Sequence, residues 1–111
     1  MEDQIRSRIW IEKEGTIFLG YGRIELLKKI DETKSISAAA KSLNMSYKKA
    51  WRLINDMNES AAKPVIIKNI GGRHGGGTTI TGYGKSLINQ FETINNNCIE
   101  FLNKEFEKLD L

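Results

Sequence analysis

The sequence predicts a mainly α fold with small β-hairpins, an α+β arrangement forming one domain over 1–111. Three observations carry that expectation. Two short helical segments, near 37–43 and 47–60, are separated by a break of about three residues. A β-rich stretch over 64–81 is interrupted by a glycine-rich loop, and a long apolar stripe at helical spacing runs from there to Leu109. The mass of 12.6 kDa corresponds to roughly 6,200 Å² of surface when compactly folded, against about 18,300 Å² unfolded, which allows one modest core. Hydrophobic residues make up 40% and charged residues 28% of the chain, the balance of a folded chain and not of a disordered one.

The first expected element is a hairpin over 5–19. Residues Ile5 to Ile11 alternate loosely, with Ile5, Ile9 and Ile11 on one face and Arg6, Arg8 and Trp10 on the other. Lys13-Glu14-Gly15 reads as a turn and Thr16 to Leu19 as the second strand. A two-stranded ribbon is marginal alone, so it must pack on something, and Trp10 is a candidate for that contact. Three helices are expected within 23–62. In the first, from about Arg23 to Glu32, Ile24, Leu26, Leu27 and Ile30 share one broad side and the charged residues take the other.

The next two helices form a helix-turn-helix over 37–60. Ser37 is the expected cap of the first, an alanine-rich segment running to Leu43. Asn44-Met45 breaks it, and Ser46 caps the second, Tyr47 to about Ser60. Tyr47, Ala50, Trp51, Ile54 and Met57 fall at i, i+3, i+4, i+7 and i+10, the spacing of a buried stripe. Lys48, Lys49 and Arg52 lie off that stripe, and no acid falls on the helix before Asp56. Tyr47 also stands at the helix start, where its hydroxyl is within reach of a phosphate.

Residues 64–81 read as a wing: a strand from Val65 to Ile70, a loop with five glycines in the seven residues 71–77, and a short strand from Thr78 to Thr81. Arg73 and His74 are expected at the loop tip, where an arginine suits a phosphate or a minor groove. Thr81 then caps a long helix over 82–109. Leu87, Phe91, Ile94, Cys98 and Phe101 are spaced 4-3-4-3, and Ile88, Ile99, Leu102, Phe106 and Leu109 widen the apolar side. A helix of that length outreaches so small a domain, so much of this face is expected to meet a second subunit, with Cys98 on the apolar stripe as an inert core residue.

Charge is distributed unevenly. Residues 1–40 carry seven basic and seven acidic groups, residues 41–73 seven and two, and residues 74–111 three and five. The positive field is therefore concentrated on the helix-turn-helix and wing, as an anion-binding face requires. Other chemistries find little support. One cysteine permits no intrachain disulfide, and one histidine provides no zinc-finger set, so no metal or cofactor is expected. Gly84-Lys85-Ser86 matches only the end of a phosphate-binding P-loop, whose opening glycine would have to stand at Thr79. No nucleophile–base pair is evident, so an enzyme is not expected. The acidic start lacks an apolar leader and no run is long enough to span a bilayer, so the expected location is the cytoplasm.

The series Ser35-Ile36-Ser37 … Ala40-Lys41, Ser46-Tyr47-Lys48-Lys49-Ala50-Trp51, Ile54-Asn55-Asp56-Met57-Asn58, Gly71 to Gly77 and Ile80-Thr81-Gly82-Tyr83-Gly84 resembles the N-terminal DNA-binding domain of the ModE family. These are bacterial and archaeal molybdate-responsive transcription regulators. A more distant likeness is to the winged helices of LysR-type regulators. The resemblance covers nearly the whole chain. It implies a winged helix-turn-helix that dimerises through its N-terminal strands and last helix. It further implies that Ser46, Tyr47, Lys48, Lys49 and Arg52 contact DNA from the recognition helix, and Arg73 and His74 from the wing. Regulators of this kind continue into molybdate-binding domains, whereas this sequence stops at Leu111. A form without an oxyanion sensor, and without a visible small-molecule effector, is therefore expected.

The expected function is sequence-specific binding of double-stranded DNA as a homodimeric transcription regulator. Lys41, Lys48 and the wing would position it on phosphates, while Lys49 and Arg52 would meet base edges. The alternative is a protein-interaction or dimerisation module on the same scaffold, with no operator of its own.

Overall fold

The computed structural model describes residues 2–69 and 77–111. The order of elements is β1 (Trp10–Lys13), β2 (Thr16–Gly20), α1 (Tyr21–Thr33), α2 (Ile36–Ser42), α3 (Tyr47–Ser60), β3 (Ile66–Lys68), β4 (Thr78–Ile80) and α4 (Gly82–Phe106). The expected α+β winged helix-turn-helix is present, with an antiparallel hairpin at each end of a three-helix cluster and a long final helix.

The first hairpin turns on Glu14 and Gly15, both at positive φ (51° and 83°), the backbone that a tight two-residue hairpin loop demands. Ile11 stands opposite Leu19 but Glu12 opposite Ile17. Phe18 is thus the extra residue of a bulge, which lets consecutive Phe18 and Leu19 both enter the core. The strand expected from Ile5 begins only at Trp10. β2 ends at Gly20, opposite Trp10, so among the described residues no strand pairs with residues 5–9. Ile9 and Ile11 nevertheless pack on the core. Trp10 does not mark the hairpin's contact with the body: it is 51% exposed and its indole donates to Glu12 Oε2 at 2.8 Å.

α1 buries Ile24, Leu26, Leu27 and Ile30, as its spacing predicts. It starts two residues before Arg23, because Gly20 already supplies the extended N-cap. Ser35, not Ser37, caps α2: its hydroxyl accepts from the Ala38 N–H at 3.0 Å. The helix starts earlier because Ile36, Ala39 and Ala40 form one buried i, i+3, i+4 face, leaving Ser37 exposed in the first turn. Asn44 adopts the left-handed conformation (φ 55°), and the Met45 N–H reaches back to the Ala40 carbonyl at 2.9 Å. These contacts close α2 and swing the chain into α3.

The wing is clamped at its root. Asn58 of α3 donates from Nδ2 to the Ile66 carbonyl (3.0 Å), while its Oδ1 accepts from the Val65 and Ile66 N–H groups (2.9 and 3.1 Å). The Thr81 hydroxyl donates to the Pro64 carbonyl at 2.7 Å and accepts from the Gly84 N–H at 2.9 Å, so it both ties the wing and caps α4. β3 pairs with β4 from Ile66 opposite Ile80 to Lys68 opposite Thr78. It is shorter than the expected strand at both ends that can be described: Val65 is held by Asn58, and Asn69 falls outside β3, while Ile70 lies outside the described residues. Arg73 and His74, expected at the loop tip, also lie outside the described residues.

Gly84 sits where α4 presses on this root. A Cβ there would lie 2.5 Å from the Val65 carbonyl oxygen and 2.8 Å from Ile80 Cγ2. Gly84→Ala is accordingly expected to destabilise the fold by about 1–3 kcal/mol, read as a lower urea midpoint. An unchanged midpoint would show that the contact relaxes freely.

α4 spans 25 residues, about 37 Å. Its first half joins the core through Ile88 and Phe91. Lys28 of α1 meets Glu92 at 2.8 Å, a hydrogen bond and charge contact that raise the lysine pKa above its usual value. Further along, Ile94, Ile99 and Phe101 are exposed. Cys98, expected as a core residue, is instead a half-buried free thiol outside the core, on the half of α4 that runs past the body. The helix ends at Phe106, three residues short of the expected end. The radius of gyration is 16.8 Å and the longest dimension 62 Å, whereas a compact chain of this length has a radius near 13 Å. Among the described residues no helix is long and apolar enough to cross a membrane, and no group of three or more His, Cys, Asp or Glu side chains is placed to hold a metal.

Candidate nucleic-acid interface

α3 is the centre of the site. Its inner face consists of Ala50, Leu53, Ile54 and Met57. At about 100° per residue, the middle of the opposite face carries Lys48 and Arg52, with Asn55 beside them. All three cations of the first half, Lys48, Lys49 and Arg52, are exposed. Lys49 stands on the hairpin-facing edge, lining a cleft with Arg8, Trp10, Arg23 and Met45. Lys41 is exposed in the last turn of α2, just before the connection to α3.

Ser46 is the N-cap of α3, and its hydroxyl oxygen accepts from the Lys49 N–H at 3.1 Å. The cap leaves the hydroxyl hydrogen available to donate outward. Ser46→Ala is expected to cost about 1 kcal/mol of stability, checked by thermal melting. A loss of DNA affinity with no loss of stability would instead assign Ser46 to the interface alone.

Tyr47 and Trp51 do not join the buried stripe. They are 54% and 42% exposed, one turn apart on the edge of α3 that faces the wing. Leu53, absent from the expected stripe, takes the inner position and rotates the buried face away from them. The Lys68 ammonium of β3 lies 5.1 Å from the centre of the Trp51 ring. Sequence periodicity missed this pairing, since it joins residues on different elements.

The outward row thus runs from Lys49 through Arg52 and Lys48 to Tyr47, Trp51 and Lys68. Asp56, two turns further on, is half-buried. A cationic, convex helix bearing hydroxyl and indole groups at one edge can bind a polyanion and enter a groove.

Comparison with known proteins agrees with this geometry. Residues 22–85 match the model of the bacterial regulatory helix-turn-helix proteins of the lysR family. The chain is similar to the transcriptional regulator ModE of Haemophilus influenzae, 36% identical over 84 residues that cover 76% of this chain and 33% of that protein. It is 38% identical over 104 residues to the molybdenum transport protein ModE of Azotobacter vinelandii, covering 94% of this chain and 38% of the relative. To the DNA-binding transcriptional dual regulator ModE of Escherichia coli K12 it is 40% identical over 91 residues, or 82% and 35%. The matched region spans about a third of the length of these relatives. With the fold, the capped recognition helix and these likenesses in hand, the chain belongs to the bacterial regulatory helix-turn-helix proteins of the lysR family, and its winged helix-turn-helix is closely related to that of the ModE DNA-binding regulators.

Proposed function

We propose that the chain binds double-stranded DNA in a sequence-specific manner as a homodimer and regulates transcription from the site it occupies. α3 enters the major groove, where Arg52 reads base edges together with Lys49, which approaches from the hairpin-facing edge. Lys48, Lys41, Ser46 and Tyr47 hold phosphates. Arg73 and His74 extend the contact from the wing to the backbone or minor groove. The observation that carries the reading is the outward face of α3: Lys48 and Arg52 are exposed side by side, and no acid precedes Asp56 on the helix.

The second subunit is argued from surface. The chain exposes 8003 Å², about 1,800 Å² more than a compact monomer of its mass. That excess is of the order of what a stable interface removes from one or both partners. The exposed part of it includes Ile94, Ile99 and Phe101 on α4. A dimer through α4 and the N-terminal segment would present two α3 helices to half-sites about 34–36 Å apart or a multiple of that.

Selection of bound duplexes from a random pool, read by sequencing, tests the proposal. An enriched motif with two related half-sites is the expected result. Retention without any enriched sequence would reject the operator-specific reading. It would favour the alternative, an interaction module built around the apolar face of α4.

A further inference from the structure

We propose that Lys68 and Trp51 form a second seat for the DNA backbone, in which Lys68 binds one phosphate and the Trp51 indole carries the adjoining deoxyribose, at the mouth of the cleft between α2, α3 and the β3–β4 hairpin. The proposal rests on the reading that α3 enters the major groove, and it adds a contact made by β3 to the one made by α3.

The cleft has a volume of about 280 Å³ and is lined by Lys34, Ser37, Tyr47, Lys68, Asn69 and Thr78 among others, with no acidic residue in its lining. Its donors are not equivalent. Lys34 is turned to Asp31, 3.2 Å away. The Asn69 amide donates to the Thr79 hydroxyl at 3.0 Å. The donors the cleft offers besides these include the Lys68 ammonium and the hydroxyls of Tyr47, Ser37, Ser35 and Thr78, a set that suits a single phosphate.

The indole explains why the ammonium is where it is. An exposed lysine normally samples many rotamers, and fixing it costs entropy. Here the ring face holds Nζ at 5.1 Å, so the charge is positioned before a phosphate arrives. Trp51 remains 42% exposed, on a helix that buries Leu53, Ile54 and Met57. A flat apolar surface beside a placed cation matches a sugar next to its phosphate. The position on α3 agrees: Trp51 lies about 60° round the helix from Lys48. With Lys48 and Arg52 facing the groove floor, that edge faces the wall, where a strand's backbone runs. The occupant is therefore duplex DNA and not a free anion.

The test uses the full chain, the selected duplex, a scrambled duplex and Lys68→Gln. Loss of one phosphate contact is expected to lower the slope of log affinity against log salt by about 0.9, which is about eightfold in affinity at about 0.1 M salt, equally on both duplexes. A neutral methylphosphonate placed at the contacted phosphate is expected to weaken the wild type and leave Lys68→Gln unaffected. Trp51→Ala is expected to weaken both duplexes similarly, with Trp51→Phe close to wild type. Should Trp51→Ala fail to fold, Lys68→Gln alone decides. An unchanged slope in Lys68→Gln, while Lys48 and Arg52 variants lose binding, overturns the seat and leaves the groove reading standing. Failure of the wild type to bind any duplex overturns both. Saturable quenching of tryptophan fluorescence by inorganic phosphate at constant ionic strength, lost in Lys68→Gln, would make the cleft a free-anion site and overturn the DNA assignment.

Discussion

Replacing Lys48 and Arg52 together by alanine is expected to abolish operator recognition while leaving the fold intact. A bidentate arginine contact to a base is worth about 1–3 kcal/mol, and one phosphate contact adds about eightfold at about 0.1 M salt. Together these give a loss of roughly two orders of magnitude on the selected duplex, and a salt slope shallower by about one. Preference should relax at the base pair that Arg52 reads and nowhere else. Both side chains are exposed, so the unfolding free energy should stay within about 0.5 kcal/mol of the wild type. Fluorescence anisotropy across a salt series measures the first effect and urea melts the second. Lys104→Ala with Lys108→Ala removes the same charge from the far end of the chain and should change neither. If the Lys48, Arg52 variant binds as the wild type does, α3 does not read the groove and the interaction-module reading replaces it.

The second large effect concerns α4. Ile94 and Phe101 are 52% and 60% exposed, seven residues apart and hence on one face. Neither belongs to the core cluster. Ile94→Glu with Phe101→Glu should therefore fold but fail to associate. Four such side chains meet in a dimer, each about half covered already in the protomer, so each contributes roughly half of the about 1.5–3 kcal/mol of full burial, and the dimer dissociation constant should rise by roughly two to four orders of magnitude. Sedimentation equilibrium reads this directly. Binding to a two-half-site duplex should fall towards that of a single half-site. A wild type that is monomeric at micromolar concentration, or a variant that dimerises unchanged, would remove α4 as the subunit contact.

Local rules in the sequence located most of the fold, and the exceptions share a cause. Ser46 and Thr81 cap their helices where expected, because a hydroxyl before a helix satisfies the same orphan N–H groups in any context. α1 buries the four residues its spacing selects. Ser35 and Ser37 are equally good caps by composition, and only the burial of Ile36 decides between them. On α3, counting Tyr47 and Trp51 and omitting Leu53 placed the centre of the buried arc about 45° from its actual position. Aromatic residues score as core residues when their neighbours are unknown. The Lys68 partner that makes Trp51 useful on the surface comes from an element 17 residues away. Residues 5–9 had the alternation of a strand, but among the described residues no strand lies beside them, since pairing is a property of two segments and not of one. The cationic row of α3 was legible because helical spacing and charge suffice to define it.

The clamp formed by Asn58 and Thr81 has a mechanical consequence. One amide and one hydroxyl tie α3, the wing root and the start of α4 to one another. If α4 carries the partner, the separation and twist between the two reading heads are set inside each protomer and cannot be adjusted by a hinge at this joint. Such a pair behaves as a fixed gauge. Operators of the wrong spacing would be refused because the protein or the duplex must bend to meet them, even where every base is correct.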